Sequence, residues 1–531
     1  MNDRVPDTRL YRVGIALAIL TALALRFIPA LTVDFPLNDG GMFYKMTQEI
    51  RAKGYSLPEF SGYNLRSIPF AYPPLGFYIA ALLHDVSSIE LLTLFRLLPA
   101  LYSTLTVLFV ILLAQQMSSN RSWILAVSFC FAVMYINFIW PIMGGGITRS
   151  LGFMLAAAAL YTFQRSLNER KFHLKLICAL LTAACVCSHL GPAVFTYFSL
   201  LMLTLAFEDK FTIKIKSLIT VVLISAFLSL PWILTVYTYH GLAPFQAAGQ
   251  TVGSISSLGN DFFTVLGSMS SEWQRSYWQP FIPVFGFFTA LGIVHLIRQK
   301  KMIYLFWWLL IPLIDRRQGF HCASIPLSMI VAYGLVYEFL PILRQRLDVS
   351  KLFQKPKMQN LAVYGILGVI FAYSCMSASV FGTSSRKAEL ASISKPELRA
   401  IEWLKQELPG KSNVLVIEKN SWWTARFSEW IPTLTSHHVP NTVQGTEWLS
   451  NSRYAILESY SLGLNKCLAE DLECLETWED SAKLKYQYIF IPASSFTAAE
   501  PLINSLKKSA KYKNLFEIKD EGLVLEKLPS L

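Results

Sequence analysis

The sequence predicts a polytopic α-helical membrane protein with a C-terminal extracytoplasmic α/β domain. Of its 531 residues, 53% are hydrophobic and only 15% are charged, whereas soluble globular chains carry about 25% charged residues. Apolar runs of about 17–25 residues, long enough to cross a bilayer, recur up to about residue 380, and a tail with a different pattern follows. We therefore expect a transmembrane domain at 1–380 and a soluble domain at 381–531.

About eleven apolar runs are expected to cross the membrane. The first run follows Arg4, Arg9 and Arg12, as in a signal sequence, but no clear cleavage site precedes the acidic stretch after it, so it is interpreted as an uncleaved first helix. The runs lie near 13–33, 91–116, 123–141, 147–164, 174–190, 191–207, 217–239, 280–297, 302–315, 322–342 and 359–379.

The net charge of +12 indicates membrane topology rather than nucleic-acid binding, because nearly all of it lies before Arg386, in short loops between apolar runs. Loops rich in Lys and Arg alternate with loops poor in them, and the rich loops are expected to be cytoplasmic. This predicts an integral protein of the plasma (inner) membrane, with a cytoplasmic N-terminus and the tail outside. The first outer loop, 34–90, contains helical patterns at 42–53 and 74–85 that are too short to span and should lie along the interface.

The tail has the pattern of a single α/β domain. Its two cysteines, Cys467 and Cys474, favour a disulfide if the tail is extracytoplasmic, whereas the other cysteines lie in or beside apolar runs and are interpreted as buried hydrophobes. The predicted elements are a helix at 396–408, strands at 413–417 and 486–491, a helix at 496–509 and a hairpin at 513–526.

The first outer loop opens with two carboxylates, Asp34 and Asp39. Asp39 has two interpretations: it caps the helix that begins near residue 40, or it is a carboxylate at the membrane surface that takes a proton from an acceptor hydroxyl or holds a divalent cation. Asp34 is the weaker candidate for the same groove. Further along, Tyr72, Pro73 and Pro74 form a rigid turn into the second interfacial helix, and such a turn could also fix the aromatic wall of a substrate groove.

Basic residues at the outer ends of spans form a second group of candidates. Arg316 and Arg317 are adjacent in a loop where cations are otherwise scarce, so they either anchor to lipid headgroups or bind a phosphate at the membrane surface, for which guanidinium groups are suited. Arg149 follows three glycines in another outer loop and is a cation of the same kind. His189 and His321 also end spans on this side, with either a structural role or a place in the groove.

The tail contains two clusters of aromatic and charged residues. The first includes Trp422, Trp423 and Glu429, and the second is the segment from Gln444 to Trp448. Core packing is one interpretation. The other is a surface that stacks on sugars, because indole faces beside carboxylates suit carbohydrate.

The order of these features resembles the GT-C superfamily of membrane glycosyltransferases, which use polyprenyl-phosphate sugar donors. Protein O-mannosyltransferases and lipid A aminoarabinose transferases belong to it, with oligosaccharyltransferase catalytic subunits as more distant members. The features that carry the resemblance are the first-loop acid Asp39, the Pro73-Pro74-Leu75 segment, the Phe95-Arg96-Leu97-Leu98-Pro99 start of the second span and the soluble tail.

The resemblance implies a GT-C-like fold in which Asp39 is the catalytic base or a metal ligand and the outer arginines hold the donor phosphate. Two departures stand out. Asn38 precedes Asp39 where mannosyltransferase-like members often have Asp-Glu, and Thr424 follows Trp422 and Trp423 where oligosaccharyltransferases have an acid.

We therefore expect an inverting glycosyltransferase, a hexosyl- or pentosyltransferase. It would move a sugar from a polyprenyl-phosphate donor to a hydroxyl of a lipid, glycan or protein acceptor on the outer face of the membrane. No dedicated metal ligands are predicted, and a magnesium or manganese ion is optional. Membrane lipid is the other expected partner, and nucleic acid is not. The alternatives are a flippase of lipid-linked sugars, which would need polar residues at mid-membrane, and a glycan-binding scaffold.

Overall fold

A computed structural model of the chain describes residues 8–206, 210–251, 273, 277, 279, 282–315, 317–349, 356–381, 389–449 and 453–529. Up to residue 381 it is helical apart from one short hairpin. The helices are α1 (Thr8–Leu31), α2 (Gly41–Ala52), α3 (Leu75–Ser87), α4 (Leu91–Met117), α5 (Arg121–Val133), α6 (Gly146–Glu169), α7 (Phe172–Val186), α8 (Leu190–Ala206), α9 (Phe211–His240), α10 (Ala243–Gln250), α11 (Val284–Arg298), α12 (Ile303–Ile314), α13 (Gly319–Cys322), α14 (Ser324–Tyr333), α15 (Leu340–Val349) and α16 (Pro356–Met376).

Six helices in the described ranges are long and apolar enough to cross a membrane, and six apolar helices of 10–17 residues accompany them. The chain is an integral membrane protein, as predicted, whereas the exact number of crossings stays a prediction. The predicted runs agree with the helices to within a few residues in most cases. The run at 123–141 is the exception, because α5 ends at Val133 and a 3₁₀ turn over Tyr135–Asn137 follows it.

Helix α6 lies at the centre of the bundle and packs against α4, α7 and α8. Most of its residues are buried. The run from Ala156 to Ala159 is made of small side chains, which let neighbouring helix backbones approach closely. The first turn of α6 carries Arg149, so this residue is placed by the most buried of the six candidate spans in the described ranges.

A buried cation in α1 fixes the loop that leads into α6. The guanidinium of Arg26 donates to Ser103 Oγ at 2.9 Å, to the Ala132 carbonyl at 3.1 Å and to the Asn137 carbonyl at 3.4 Å. Ala132 lies at the C-terminus of α5, where the helix dipole favours a positive charge. The apolar run 13–33 predicts a plain span, and its pattern does not indicate this role of Arg26.

The first outer loop contains two short helices at the expected positions. Helix α2 (Gly41–Ala52) matches the pattern at 42–53, and α3 (Leu75–Ser87) matches the pattern at 74–85. Between them, strands β1 (Phe60–Ser61) and β2 (Ile68–Pro69) pair antiparallel.

The tail combines a four-stranded sheet with helices. Its strands have the order β3-β4-β6-β5, with β3 parallel to β4 and the other pairs antiparallel. Alternate residues of β3 and β4 pack into different apolar clusters, so both faces of the sheet are covered. The elements are α17 (Lys395–Glu407), β3 (Val414–Val416), α18 (Arg426–Thr435), α19 (Arg453–Cys467), α20 (Leu472–Ala482), β4 (Tyr488–Pro492), α21 (Phe496–Lys508), β5 (Tyr512–Ile518) and β6 (Gly522–Lys527).

Helices α18, α19 and α20 were not predicted. Helix α19 ends at Cys467, which forms a disulfide with Cys474 in the first turn of α20, with the two Cα atoms 5.3 Å apart.

The tail is packed onto the first outer loop. The ring of Phe35 lies 4.7 Å from that of Trp430, and the Trp430 indole donates to the Asn38 carbonyl at 2.9 Å. The Tyr63 hydroxyl donates to the Glu429 carbonyl at 2.8 Å. Phe35 belongs to the same apolar cluster as α17 and α18, so the first outer loop and the tail share a core.

Candidate active site

A cavity of about 160 Å³ lies between the first outer loop, the loops at one end of the bundle and the tail. Most of the predicted site residues meet there although they are far apart in sequence. The lining residues are Asp39, Met42, Phe43, Tyr72, Pro73, Trp140, Arg149, His189, Leu190, Ala248, Thr251, Arg317, Gln318, Trp422, Trp423, Glu429, Gln444, Glu447 and Trp448.

Asp39 and Arg149 form a bidentate ion pair in this cavity. Asp39 Oδ2 accepts from Arg149 Nη1 at 2.9 Å, and Oδ1 accepts from Arg149 Nη2 at 3.1 Å and from the Gly145 amide at 2.8 Å. Arg149 Nε donates to the Trp140 carbonyl at 3.1 Å, and its guanidinium lies 4.3 Å from the Trp140 ring centroid. The Asp39 side chain keeps 19% of its surface exposed, against 7% for Arg149, so the carboxylate is the more accessible partner.

The glycines around this pair permit a close approach of two backbones. A Cβ atom at Gly144 would lie 2.1 Å from the Asp39 carbonyl oxygen, and one at Gly145 would lie 2.6 Å from Asp39 Oδ2. Gly40 has φ +121° and lies against the same glycines, a conformation that L side chains rarely adopt. Any larger residue at these positions would push the Asp39 carboxylate away from Arg149.

Glu429, at the start of α18, caps helix α2 from the tail. Gly40 precedes α2 with no cap from its own segment, and Glu429 Oε1 accepts from the amides of Gly40 at 2.9 Å and Met42 at 3.4 Å. The cap interpretation of Asp39 is therefore wrong. Burial, and secondarily the negative charge of Asp39, raises the pKa of the Glu429 carboxyl to about 8, so this group is mostly protonated at neutral pH.

Arg317 presents its guanidinium to the cavity. Asp315 Oδ1 accepts from the backbone amides of Arg317 and Gln318, each at 3.0 Å, which fixes the turn after α12. Within the ranges given above, the Arg317 guanidinium has no hydrogen bond or ion pair and remains available to a ligand. Arg316, the other member of the predicted pair, lies outside the described residues.

His189 and Tyr72 belong to the wall of the cavity. The Gly191 amide donates to His189 Nδ1 at 3.2 Å, so in the neutral ring the proton is on Nε2. Burial, and after it the positive charges of Arg149 and Arg317, lowers the pKa of His189 to about 3. His189 is therefore a neutral hydrogen-bond donor at physiological pH.

Three residues predicted for the groove do not line it. Asp34 is 64% exposed and pairs with Lys395 at 3.0 Å, because the chain turns outward after α1. Pro74 is buried beside α3, and only the preceding Pro73 reaches the cavity. His321 is 5% exposed and packs against Phe153 inside the bundle, with ring centroids 4.1 Å apart.

Six lining residues carry polar side-chain groups that were not assigned to the site from sequence: Trp140, Thr251, Gln318, Gln444, Glu447 and Trp448. Trp140 was hidden in the apolar run 123–141, although its position just before the three glycines was a usable signal. Gln444, Glu447 and Trp448 belong to the second aromatic cluster, which was interpreted as core packing or a sugar-stacking surface without any of the three being assigned to the site.

The Asp39 and Glu429 carboxylates do not fit a tight divalent-cation site. The Arg149 guanidinium bonds to both oxygens of Asp39, and Glu429 directs Oε1 to backbone amides. Within the described part of the chain no three acidic, histidine or cysteine side chains cluster as metal ligands. We derive no step through a metal ion.

The comparisons with known proteins give structural neighbours but no sequence relatives: no family model and no curated protein matches the chain. The oligosaccharyltransferase AglB from Archaeoglobus fulgidus, solved with an inhibitory peptide and dolichol phosphate, superposes with a TM-score of 0.59 at 13% identity. The match covers 95% of this chain and 72% of AglB.

Two further neighbours are bacterial. ArnT from Cupriavidus metallidurans, bound to undecaprenyl phosphate, matches with a TM-score of 0.53 at 12% identity over 98% of both chains. The arabinofuranosyltransferase AftD from Mycobacteria matches with a TM-score of 0.54 at 11% identity, over 99% of this chain and 40% of AftD. All three neighbours are GT-C enzymes. The chain therefore shares the fold of these three proteins.

Proposed function

We propose that this protein transfers one sugar from a polyprenyl phosphate to an acceptor hydroxyl on the outer face of the membrane. The observation that carries the proposal is that the Asp39 carboxylate and the Arg317 guanidinium, which has no partner within the described ranges, face one cavity. A glycosyl phosphate needs this combination, because one group takes the acceptor's proton while another stabilises the phosphate that leaves.

The reaction is a single displacement at the anomeric carbon. The acceptor oxygen attacks this carbon from the face away from the phosphate, its proton passes to Asp39, and the bond from the anomeric carbon to the phosphate oxygen breaks. The configuration inverts, and the lipid monophosphate leaves with the electron pair of that bond.

Four polar residues of the cavity, Asp39, Arg149, His189 and Arg317, have a part in this scheme. Arg317 binds the donor phosphate, and His189 Nε2–H is a neutral donor on the same wall. Asp39 keeps an open acceptor position, because it uses three of about four lone-pair positions for Arg149 and Gly145. The bidentate contact gives Arg149 the role of holding Asp39 ionised and oriented, with phosphate binding as a second role.

The bonding pattern supports a transferase over the two alternatives. A flippase has no use for a carboxylate oriented by a bidentate arginine at one end of the bundle. A scaffold that only binds glycans needs no cation for a lipid phosphate. The acceptor class and the sugar are left to experiment.

The test is deletion of the gene followed by complementation with the wild type, Asp39→Asn or Asp34→Asn. Mass spectrometry of the cell-surface glycans should show one sugar lost on deletion and restored by the wild type. Asp34→Asn should also restore it, because Asp34 lies outside the cavity. Asp39→Asn should not, at equal protein level in the membrane. Restoration by Asp39→Asn would rule out Asp39 as the base.

A further inference from the structure

The segment from Gln444 to Trp448 contributes a second set of polar groups to the cavity, and neither Asp39 nor Arg317 contacts them through a hydrogen bond in the structure. It follows the first aromatic cluster of the tail and ends in a 3₁₀ turn over Thr446–Trp448. Gln444, Glu447 and Trp448 all line the cavity. The reaction scheme above leaves these three side chains without a role.

Each of the three side chains has a buried polar atom without a partner among the described residues: Gln444 Oε1, Glu447 Oε2 and Trp448 Nε1. An unpaired buried polar atom destabilises the folded state, and native proteins contain few of them. Three such atoms on five consecutive residues, all beside one cavity, are explained if a ligand supplies their partners. The set offers two acceptors and one donor.

Gln444, Trp448 and the backbone between them are held in place before any ligand arrives. Gln444 Nε2 donates to the Trp422 carbonyl at 2.8 Å, which directs the other amide atom, Oε1, away from that bond. The Trp448 side chain is 6% exposed, and its ring packs edge-on against Tyr72 with centroids 5.5 Å apart. Gly445 has φ +86°, and a Cβ atom there would lie 2.5 Å from Ile68 Cδ1, so the segment is pressed onto the first outer loop.

The ligand that suits this arrangement is a sugar ring. A sugar hydroxyl both donates and accepts, so neighbouring hydroxyls can satisfy two acceptors and one donor together. A phosphate group is excluded, because its oxygens would face the Glu447 carboxylate and the Gln444 carbonyl oxygen. The indole of Trp423 on the same cavity is 42% exposed and offers an aromatic face for the ring to stack on.

Arg317 connects this segment to the donor phosphate. Its positive charge opposes the effect of burial, which raises the pKa of the Glu447 carboxyl, so the two groups are electrostatic neighbours. A cation for phosphate beside acceptors for hydroxyls matches a glycosyl phosphate. We propose that Gln444, Glu447 and Trp448 form a subsite that holds a sugar ring by its hydroxyls. This inference rests on the proposed function.

The first test uses the natural substrates inside cells. The deletion strain is complemented with Trp448→Phe, which removes the N–H donor, or with Glu447→Gln, which removes the charge. Trp403→Phe and Glu402→Gln, on α17 away from the cavity, are the matched controls. At equal membrane protein levels, we expect each subsite variant to lower the amount of glycan product about tenfold and the controls to leave it unchanged. Full product from both subsite variants would overturn the subsite.

The second test separates the two sources of a sugar ring, the donor and the acceptor. Purified protein in lipid nanodiscs is titrated with bare undecaprenyl phosphate and with undecaprenyl phosphates carrying single hexoses or pentoses. If the subsite holds the donor sugar, both variants lose about tenfold in affinity for the glycosylated lipid that the wild type binds best. If it holds the acceptor, affinities for the donors stay unchanged and the KM for the acceptor rises.

Binding of the bare lipid distinguishes failure of this inference from failure of the proposed function. Undecaprenyl phosphate without a sugar should bind the wild type and both variants equally, because Arg317 is intact in all of them. Equal losses for bare and glycosylated lipid would mean that the variants disturb the fold, which overturns the subsite. No binding of any lipid phosphate by the wild type would instead overturn the proposed function.

Discussion

Two parts of the cavity differ in how completely their polar atoms are bonded. Around Asp39 and Arg149, the carboxylate accepts three hydrogen bonds and all three nitrogens of the guanidinium donate. In the segment from Gln444 to Trp448, three buried polar atoms have no partner within the described chain. The first part is a preorganised charge arrangement, as a reacting centre requires. The second is incomplete without a ligand, as a recognition site is.

The largest effect is expected from Arg149→Lys, which disrupts the hydrogen-bonded arrangement around Asp39 and Arg149. The lysine keeps the charge but cannot bond both oxygens of Asp39 and the Trp140 carbonyl together, so Asp39 loses its fixed orientation. We expect turnover to fall by about 10²–10³-fold, the loss typical of removing one preorganised electrostatic contact. Transfer is measured on purified protein in nanodiscs. Arg298→Lys, at an exposed position on α11, is the matched control and should retain full turnover.

Arg317 lies between the two parts, and its charge should act on the lipid phosphate alone. We expect Arg317→Gln to raise the Kd for bare undecaprenyl phosphate by about tenfold or more, because a hydrogen bond to a charged group contributes about 1.5–3 kcal/mol. Arg298→Gln should leave the Kd unchanged. An unchanged Kd in Arg317→Gln would mean that the phosphate is bound by Arg149 or by a residue outside the described chain.

Glu429 connects the tail to helix α2, which begins just after Asp39. Its ionisation should make the thermal stability of the protein depend on pH. Its pKa is raised from 4.5 to about 8 in the folded protein. The stability it contributes is therefore complete below pH 4.5 and is lost as pH rises through about 8. Glu429→Gln keeps an acceptor oxygen for the amides of Gly40 and Met42 without the charge.

The variant should accordingly show a smaller decline of the Tm between pH 5 and 9 than the wild type, with the largest gain at the alkaline end. Thermal unfolding in detergent at several pH values measures this difference. Glu402→Gln, an exposed change on α17, should reproduce the wild-type slope. A wild-type slope in Glu429→Gln would mean that this carboxyl is ionised throughout the range.

The same comparison explains which parts of the molecule could be predicted from sequence. The helices of the bundle were found because hydrophobic length is a local property, and Asp39 and Arg317 were found because charges at the ends of spans are conspicuous. The pairing of Asp39 with Arg149 joins residues 110 positions apart, and no local pattern encodes it. The cap that Glu429 supplies to α2 joins residues 389 positions apart. It could not be predicted either, because another part of the chain supplies it.

Asp34 and His321 are the opposite case, because both were predicted to line the groove and neither does. Both have the residue type that the pattern demanded and lie near the end of a predicted span, yet one turns to solvent and the other into the bundle. Sidedness restricts a residue to one end of the molecule but does not determine the direction of its side chain. That direction depends on how the chain leaves α1 and how α13 begins, which tertiary packing decides.

The smallest effect on activity is expected from removing the disulfide between Cys467 and Cys474. This change tests whether the recognition site formed by Gln444 to Trp448 depends on more distant parts of the tail. Helix α19 is linked to that part through Trp422. Near the start of the helix, Glu458 Oε1 accepts from the Trp422 indole at 3.0 Å, and Gln444 Nε2 donates to the Trp422 carbonyl. The helix carries Cys467 at its other end. Changing Cys467 and Cys474 together to serine opens a short loop and should cost about 2 kcal/mol of stability. The Tm of the purified protein should fall while transfer at the assay temperature stays within about twofold of the wild type. A large loss of transfer with the fold intact would mean that the position of the disulfide end of α19 controls Trp422, and with it the orientation of Gln444.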